Sequence, residues 1–310
     1  MAAILRLPGV VLCNVQVTLY VYIGHGIMRQ AMKMDPLLRE IYERYVRFGE
    51  ILHNAWIDYS VQDAVIAIVE SHCSSGGNAN QVITTTTSPI NGANRAPARI
   101  YGKDLAGIGR RAYRKDMPVS ILLNSVGLFE SLVSDVAKVA YLHDPARFLL
   151  PRSGSQDELD TAGDKENSKL LTILIAASTR EEAIERYIEE RLRGLSYGSP
   201  VDIFRKNRLR FGLNNTLAVK CSNEITRYAE IMARRNVIVH NLGRVDSKYI
   251  REVQGTTLSA GDKVVVDGPY LFDALHVLDI LAVNFANEVA LTTVHSPLPL
   301  SRTRHGVITT

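Results

Sequence analysis

A mainly α-helical protein is predicted for this chain of 310 residues, on three observations. Long segments repeat apolar residues at intervals of three and four, which is the spacing of one face of a helix. Residues typical of helix starts and helix ends flank several of these segments. Strand-like alternation is too scarce to build a sheet. The sequence therefore predicts an antiparallel helical bundle with a short β element and polar loops.

The composition is that of a globular protein with a modest positive charge. Hydrophobic residues make up 46% of the chain, enough for a sizeable core, and the formal net charge is +4. This charge neither demands nor excludes a polyanionic partner. The three cysteines, Cys13, Cys73 and Cys221, are far apart and have no C-x-x-C pairing. We therefore expect no disulfide framework, no metal and no cofactor, in a cytoplasmic protein.

Residues 1–33 form an apolar N-terminal segment that is predicted to lie outside the fold. Its uncharged stretch from Leu7 to Gly24 is about the minimum length of a membrane span, but proline, glycine and two amides interrupt it. A membrane anchor is one interpretation. The other is that the functional chain starts at Met28, Met32 or Met34, just before a credible helix. We expect no stable membrane association.

Residues 34–100 are predicted to contain a helical region and then a linker. Asp35 is placed to cap a helix, and Pro36 suits a first helical turn. The stripe that follows has helical spacing and consists of Leu38, Ile41, Tyr45, Phe48 and Leu52. A second apolar stretch, Trp56 to Val69, follows this helix and ends at a polar segment.

The predicted linker runs from Ser71 to Asn94. It is rich in Ser, Gly, Asn and Thr, lacks periodicity and has almost no charge. Thr84 to Thr87 within it have the β-propensity of a short edge strand.

Residues 101–296 are predicted to form one helical domain, followed by a tail at 297–310. Its first core helix spans Ile121 to Leu142, with the stripe Leu122, Val126, Phe129, Val133, Val136 and Ala140. A polar loop is predicted from Pro151 to Ser168. Another helical stretch is predicted after this loop, and its second part, Arg180 to Arg193, is strongly charged. Thr179 and Glu182 have the spacing of a capping box.

A long helix is predicted from about Asn215 to Leu242 and is closed by Gly243. A short strand is predicted at Val264 to Val266. The last helix of the chain follows it, with the uninterrupted stripe Leu271, Leu275, Leu278, Ala282, Phe285 and Val289.

The long helix holds the residues that indicate chemistry. Its predicted inward stripe is Cys221, Ile225, Tyr228, Met232, Arg235, Val239 and Leu242. Arg235 therefore stands where an apolar residue belongs, and a buried arginine needs either an acidic partner or a functional role. Asn236 and His240 are four residues apart, so they share one face of the helix. Glu130, on the core helix, is a possible partner for Arg235; an exposed acid with no role is the alternative.

The surroundings of this helix are basic. From Val201 to Arg251, eleven Lys and Arg residues face four acids, an excess of seven positive charges. Such a cluster is either a solvated surface or a binding site for phosphodiesters. On the second interpretation, the RNA-binding candidates are Arg234, Arg244, Lys220 and Arg227.

The segment from Arg235 to His240 resembles the R-N-x-x-x-H signature of the HEPN superfamily, in particular its RiboL-PSP-HEPN branch. Asn241, Gly243 and Asp246 follow the signature, and similar flanking elements include the Gly127 to Ser131 segment, Ser199-Pro200 and the helix after Gly268-Pro269-Tyr270. The resemblance covers roughly residues 110 to 293.

The resemblance implies an all-α homodimer whose paired motifs form one cleft and cut RNA without a metal, in toxin or phage-defence systems. His240 would take the proton of a ribose 2′-hydroxyl, Arg235 would neutralise charge on the phosphorane, and Asn236 would orient the substrate or the histidine. An antitoxin or regulatory protein is a further expected partner. The alternatives are a module that binds RNA or nucleotides without cutting them, and a helical adaptor that docks a partner protein.

Overall fold

The structure is a computed structural model that describes residues 34–74, 76–86, 98–145, 173, 176–195 and 199–299. The predicted N-terminal segment, the loop from Pro151 to Ser168 and most of the tail lie outside the described residues. The described part of the chain is mainly helical, as predicted, and contains one small antiparallel sheet.

The described helices are α1 (Pro36–Ser74), α2 (Gly102–Arg111), α3 (Met117–His143), α4 (Arg180–Leu195), α5 (Asp202–Arg205), α6 (Leu217–Lys220), α7 (Ser222–His240), α8 (Ser247–Glu252) and α9 (Gly268–Val294). A short 3-10 helix, Gly76–Asn80, follows α1, and a π-helical turn, Ala112–Asp116, joins α2 to α3. Strands β1 (Val82–Thr86) and β2 (Ala98–Tyr101) pair antiparallel, with Val82 opposite Tyr101.

Helices α1, α3 and α9 pack against one another and hold the centre of the main core. The apolar stripes predicted for these three helices are confirmed, since every residue named in them is buried. Residues 34–100 and 101–296 therefore do not have separate hydrophobic cores, because α1 and α3 share one.

Local signals fixed several helix ends as expected. The Asp35 carboxylate accepts hydrogen bonds from the backbone N–H groups of Leu37 and Leu38 at 2.9 and 3.2 Å, which caps α1. The backbone N–H of Glu182 donates to the Thr179 hydroxyl at 3.1 Å at the start of α4. Both predicted caps are thus confirmed.

Three boundaries differ from the prediction. The linker predicted from Ser71 is wrong in its first part, because α1 runs unbroken to Ser74. The short edge strand considered at Thr84 to Thr87 within it is largely confirmed, since β1 covers Val82–Thr86 and pairs with β2. The long helix predicted from Asn215 is interrupted at Cys221, between α6 and α7. The strand predicted at Val264–Val266 is absent from this described segment, which instead has an isolated bridge between Arg244 and Lys263.

Two helical stretches, Gly102–His143 and Gly268–Val294, are long and apolar enough to cross a membrane by length and composition. In this fold they contribute buried residues to the main core, among them Phe129 and Phe285. Cys73 and Cys221 are free and buried; Cys13 lies outside the described residues.

A second, smaller core joins the end of α7 to α8 and the segment before α9. It consists of Ala233, Val237, Val245, Tyr249 and Val264. This core fixes the loop after α7 against the helix itself, and it therefore positions the residues around the predicted motif.

Candidate functional site

Helix α7 ends at His240, beside two residues in the left-handed backbone region. Leu242 has φ 53° and Gly243 has φ 77°, and the Gly243 N–H donates to the Val237 carbonyl at 2.9 Å. The predicted closure of the helix at Gly243 is confirmed. His240 is consequently the last helical residue, and its side chain is exposed to solvent.

The three motif residues lie together on the last two turns of α7. Arg235 is half-buried, and its Nη1 donates to Asn236 Oδ1 at 3.1 Å. That bond occupies the amide oxygen of Asn236 and leaves the two N–H groups of Nδ2 as donors. Asn236 and His240 share a face of α7, as the spacing predicted, while Arg235 lies on the neighbouring face.

A pocket of about 340 Å³ lies beside Asn236 and His240. Its apolar wall comes from the smaller core, and polar side chains from α8 and the preceding loop complete it. The lining residues are Ala233, Asn236, Val237, His240, Asn241, Asp246, Lys248, Tyr249 and Glu252. The pocket therefore faces the Asn236 and His240 side of the helix, and Arg235 does not line it.

Asp246 organises the loop that closes this pocket. Its Oδ1 accepts from the backbone N–H of Tyr249 at 2.8 Å and caps α8, while its Oδ2 accepts from Asn241 Nδ2 at 2.8 Å. One carboxylate thus connects the end of α7 to the start of α8.

Behind the pocket, the buried carboxylate of Glu230 binds three side chains. Arg234 Nε donates to it at 2.7 Å, Tyr249 Oη at 3.0 Å and Tyr270 Oη at 2.8 Å. Burial raises the pKa of Tyr249 to about 12, and the Glu230 charge adds to this effect. Both hydroxyls therefore remain protonated donors at neutral pH.

Arg234 belongs to this buried cluster, which corrects its predicted role in RNA binding. Its side chain is only 14% exposed, and its Nη1 also donates to the Val265 carbonyl at 2.6 Å. The guanidinium lies over the Tyr270 ring as well. Arg234 thus holds α7 against the segment before α9 and against the first turn of α9.

Of the other RNA-binding candidates, Lys220 and Arg227 lie away from the motif, whereas Arg244 lies close to it. Lys220 is exposed just before the first residue of α7, roughly 30 Å from His240 at the 1.5 Å rise of a helix. Arg227 lies about 20 Å from His240 by the same measure and forms an ion pair with Asp273. Arg244 is exposed close to the helix end and donates to the Gly261 carbonyl at 3.1 Å.

The excess of positive charge between Val201 and Arg251 is also partly neutralised in the fold by ion pairs. Four of its members form ion pairs with nearby acids: Lys206 with Asp202, Arg227 with Asp273, Arg234 with Glu230 and Lys248 with Glu252. The uncompensated positive charge of this segment is therefore smaller than the sequence count suggests. Beside the pocket, Arg244 and Lys248 are exposed, and Lys248 is only loosely paired, with its Nζ 3.9 Å from Glu252 Oε1.

Glu130 lies on α3 and is exposed, which agrees with the alternative of a solvated acid. Within the described residues it forms no ion pair with Arg235. Both charges act on the pKa of the buried Tyr228 hydroxyl. Burial raises the pKa of Tyr228; Glu130 raises it further, and Arg235 lowers it. Arg235 is thus half-buried without an ion pair to an acid among the described residues.

The predicted inward stripe of α7 is correct for its first four residues and wrong for its last two. Cys221, Ile225, Tyr228 and Met232 are buried. Val239 is 48% exposed and Leu242 is 85% exposed, because the last turn of α7 extends past the main core. This leaves an apolar surface beside the motif.

Sequence reasoning missed most of the pocket. Tyr249, Lys248 and Glu252 come from α8, a helix that the sequence analysis did not predict. The available signal was Asp246, which stands three residues before Tyr249 in a capping position. In the described part of the chain, no group of three or more His, Cys, Asp and Glu side chains is placed to hold a metal ion.

Comparison of the chain with protein-family models, with curated proteins and with solved structures gave no match. The resemblance to the HEPN superfamily therefore rests on the motif and its flanking residues.

Proposed function

We propose that this protein is a metal-independent endoribonuclease of HEPN type, with its active site at the end of α7. One observation carries the proposal: an exposed histidine and an arginine-bound asparagine lie one turn apart beside a pocket. Asn236 and His240 line that pocket, and Arg235 holds Asn236 through a 3.1 Å hydrogen bond.

The residues supply the groups that RNA cleavage needs. The neutral imidazole of His240 accepts the proton of a ribose 2′-hydroxyl, and the 2′-oxygen then attacks the adjacent phosphorus. Arg235 stabilises the negative charge that develops on the phosphorane oxygens. The bond to the 5′-oxygen breaks, and that oxygen takes a proton from water. The products are a 2′,3′-cyclic phosphate and a 5′-hydroxyl, and DNA is not a substrate because it lacks the nucleophile.

Phosphate contacts in this proposal come from the few cations near the site. Arg244 is exposed four residues after His240, and Lys248 is 58% exposed at the edge of the pocket. The positive charges of these side chains attract the phosphates of the RNA backbone. Lys220 and Arg227 lie too far along α7 to contribute to the same phosphate.

A homodimer is part of the proposal. Val239 and Leu242 expose apolar surface next to the motif, and Leu242 does so in a backbone conformation that favours glycine. A second copy of the chain covers this surface and brings the two motifs into one cleft. The proposed biological role of this homodimer is that of a toxin or phage-defence effector, which an antitoxin or another regulatory protein holds inactive.

The test is cleavage of end-labelled RNA by the full chain in EDTA. We expect the wild type to cut the RNA and leave 2′,3′-cyclic phosphate ends, because both catalytic groups are side chains. His240→Ala should abolish cleavage while helix content and RNA affinity stay near those of the wild type. The matched control is His276→Ala, which removes another exposed histidine, one stacked on Phe272 in α9.

Two results would overturn the proposal. Activity that EDTA abolishes and a divalent ion restores would show metal-dependent chemistry. Cleavage at the wild-type rate by His240→Ala would remove the motif from the active site. Binding of RNA without cleavage by the wild type would instead support a non-catalytic binding module.

A further inference from the structure

We propose that the pocket beside Asn236 and His240 binds a guanine base of the RNA chain, with Glu252 as the residue that recognises it. This inference rests on the proposed function, since it specifies which nucleotide lies next to the phosphate that is cut.

The size and the lining of the pocket suit a single heterocyclic base. Its volume of about 340 Å³ lies near the lower end of the range for small-molecule sites, roughly 300–1,000 Å³. Ala233, Val237 and Tyr249 are buried and form a wall against which the face of a base can pack. The polar residues of the pocket can then form hydrogen bonds with the edge of the base.

At the edge of the pocket, Lys248 and Glu252 place a cation and a carboxylate side by side. Their Nζ and Oε1 atoms are 3.9 Å apart, and both side chains are partly exposed. The Watson–Crick edge of guanine presents an acceptor, O6, beside two donors, N1–H and N2–H. The lysine can donate to O6 while the carboxylate accepts from both nitrogens. Adenine, cytosine and uracil each lack two adjacent donors, so they cannot satisfy the carboxylate in the same way.

Other polar groups of the pocket are already engaged. Both oxygens of Asp246 accept hydrogen bonds, from Asn241 and from the Tyr249 backbone. Glu252, by contrast, has only the looser contact with Lys248 among the described residues. Asn236 keeps its Nδ2 donors for the ribose or phosphate between the base and His240. Glu252 is therefore the carboxylate positioned to select the base.

The experiment compares two RNAs that are identical except that inosine replaces every guanosine. Inosine keeps O6 and N1–H but lacks the exocyclic N2 amine. We expect the wild type to cut the guanosine RNA about tenfold faster, since a site that binds a donor discriminates against an analogue without it. Glu252→Gln should lose most of this preference. Lys248→Met is a second variant. Because O6 is present in both RNAs, it should slow cleavage of both about equally and leave the preference for guanosine in place.

The matched control is Glu40→Gln, the same substitution at another exposed glutamate in an i,i+4 ion pair, on α1. It should keep the full preference for guanosine. A second measurement uses fully 2′-O-methylated oligonucleotides, which this chemistry cannot cut, and compares the binding of the guanosine and inosine forms.

The outcomes separate the two proposals. Cleavage with no preference for guanosine, with a preference for another base, or with a preference that Glu252→Gln retains would overturn the guanine pocket and leave the nuclease intact. Tighter binding of the guanosine oligonucleotide that depends on Glu252, with no cleavage of unmodified RNA, would support the pocket and overturn the nuclease.

Discussion

The Arg234 guanidinium lies 4.1 Å from the centroid of the Tyr270 ring, and both residues bind the same buried carboxylate, that of Glu230. Tyr270 lies in the first turn of α9, whereas Arg234 lies near the end of α7, so this contact fixes the two helices to each other. Tyr249 donates to Glu230 as well and forms part of the pocket wall. The cluster therefore sets the position of the candidate active site.

Glu230→Ala should strongly destabilise the protein. It leaves the Arg234 charge largely buried without its acid and removes the acceptor of two tyrosine hydroxyls. Breaking a buried ion pair in this way costs about 3–5 kcal/mol of unfolding free energy. Urea denaturation followed by circular dichroism measures the change.

Glu40→Ala is the control for this substitution, since it removes an exposed i,i+4 pair with Arg44. It should lower the unfolding free energy by less than about 1 kcal/mol. Equal effects of the two variants would mean that the cluster around Glu230 contributes no more than a surface pair.

Arg235→Ala should weaken RNA cleavage by about a hundredfold or more, in line with the loss of one group that stabilises the transition state. It should also weaken RNA binding, because a guanidinium next to the scissile phosphate is lost. Arg235→Lys should recover only part of the activity, since an ammonium cannot reproduce the planar fork of donors. Single-turnover cleavage and binding to a 2′-O-methylated oligonucleotide separate the two effects.

Arg227→Ala is the control for Arg235→Ala, because both arginines lie on α7. Arg227 pairs with Asp273 about 20 Å from His240, so its loss should leave the cleavage rate within about twofold of the wild type. A similar loss of activity in both variants would indicate that general charge, rather than the motif, determines the rate.

The helical bundle could be predicted from the sequence because its signals are local. The stripes of α1, α3 and α9 have helical spacing, and residues such as Asp35 and Thr179 cap helices within their own turn. Periodicity cannot show where the core ends, however. The predicted stripe continues in sequence to Leu242, although Val239 is exposed on the last turn of α7 and Leu242 is exposed beyond the end of the helix.

The roles of the two adjacent arginines depended on contacts that are distant in sequence. Arg235 was expected to be the buried charge, yet Arg234 is the one enclosed, because Tyr270 and Val265 approach α7 from the chain beyond α8. The i,i+4 spacing of Glu230 and Arg234 was a local signal for this pair. The shared face of Asn236 and His240 could be predicted without tertiary contacts, since residues four apart lie on one face of any α-helix.

Unfolding free energy should fall as the pH rises from about 9 to 11. Burial raises the pKa of the Cys221 thiol from 9.0 to about 11, and nearby Glu224 adds to this effect. In that pH range the unfolded chain loses the thiol proton while the folded chain keeps it, so the unfolded state is favoured increasingly. A rise of the pKa from 9.0 to about 11 corresponds to about 3 kcal/mol of unfolding free energy.

Urea midpoints measured at pH 8 and pH 11 test this, with Cys221→Ala as the comparison. Both proteins retain the buried tyrosines, whose contributions cancel in the difference. The wild type should lose more stability than Cys221→Ala between the two pH values. Equal losses would mean that the thiol does not remain protonated in the folded protein.

Leu242 gives the sharpest test of the proposed homodimer. It is 85% exposed and has φ 53°, a conformation that costs a non-glycine residue roughly 1–2 kcal/mol. Leu242→Gly should therefore raise the unfolding free energy measured at low protein concentration, where subunit association does not contribute. The same substitution should weaken the dimer, because it removes the apolar side chain beside the motif.

Leu242→Asp should abolish dimerisation and RNA cleavage together, since it places a charge in the proposed interface and near a polyanion. The control is Val219→Asp, at a residue that is 73% exposed before the opposite end of α7, and it should leave both properties unchanged. Sedimentation equilibrium gives the mass, and RNA cleavage at the same protein concentrations gives the activity. A wild-type chain that sediments as a monomer and is fully active at every concentration would show that one copy of Arg235, Asn236 and His240 suffices.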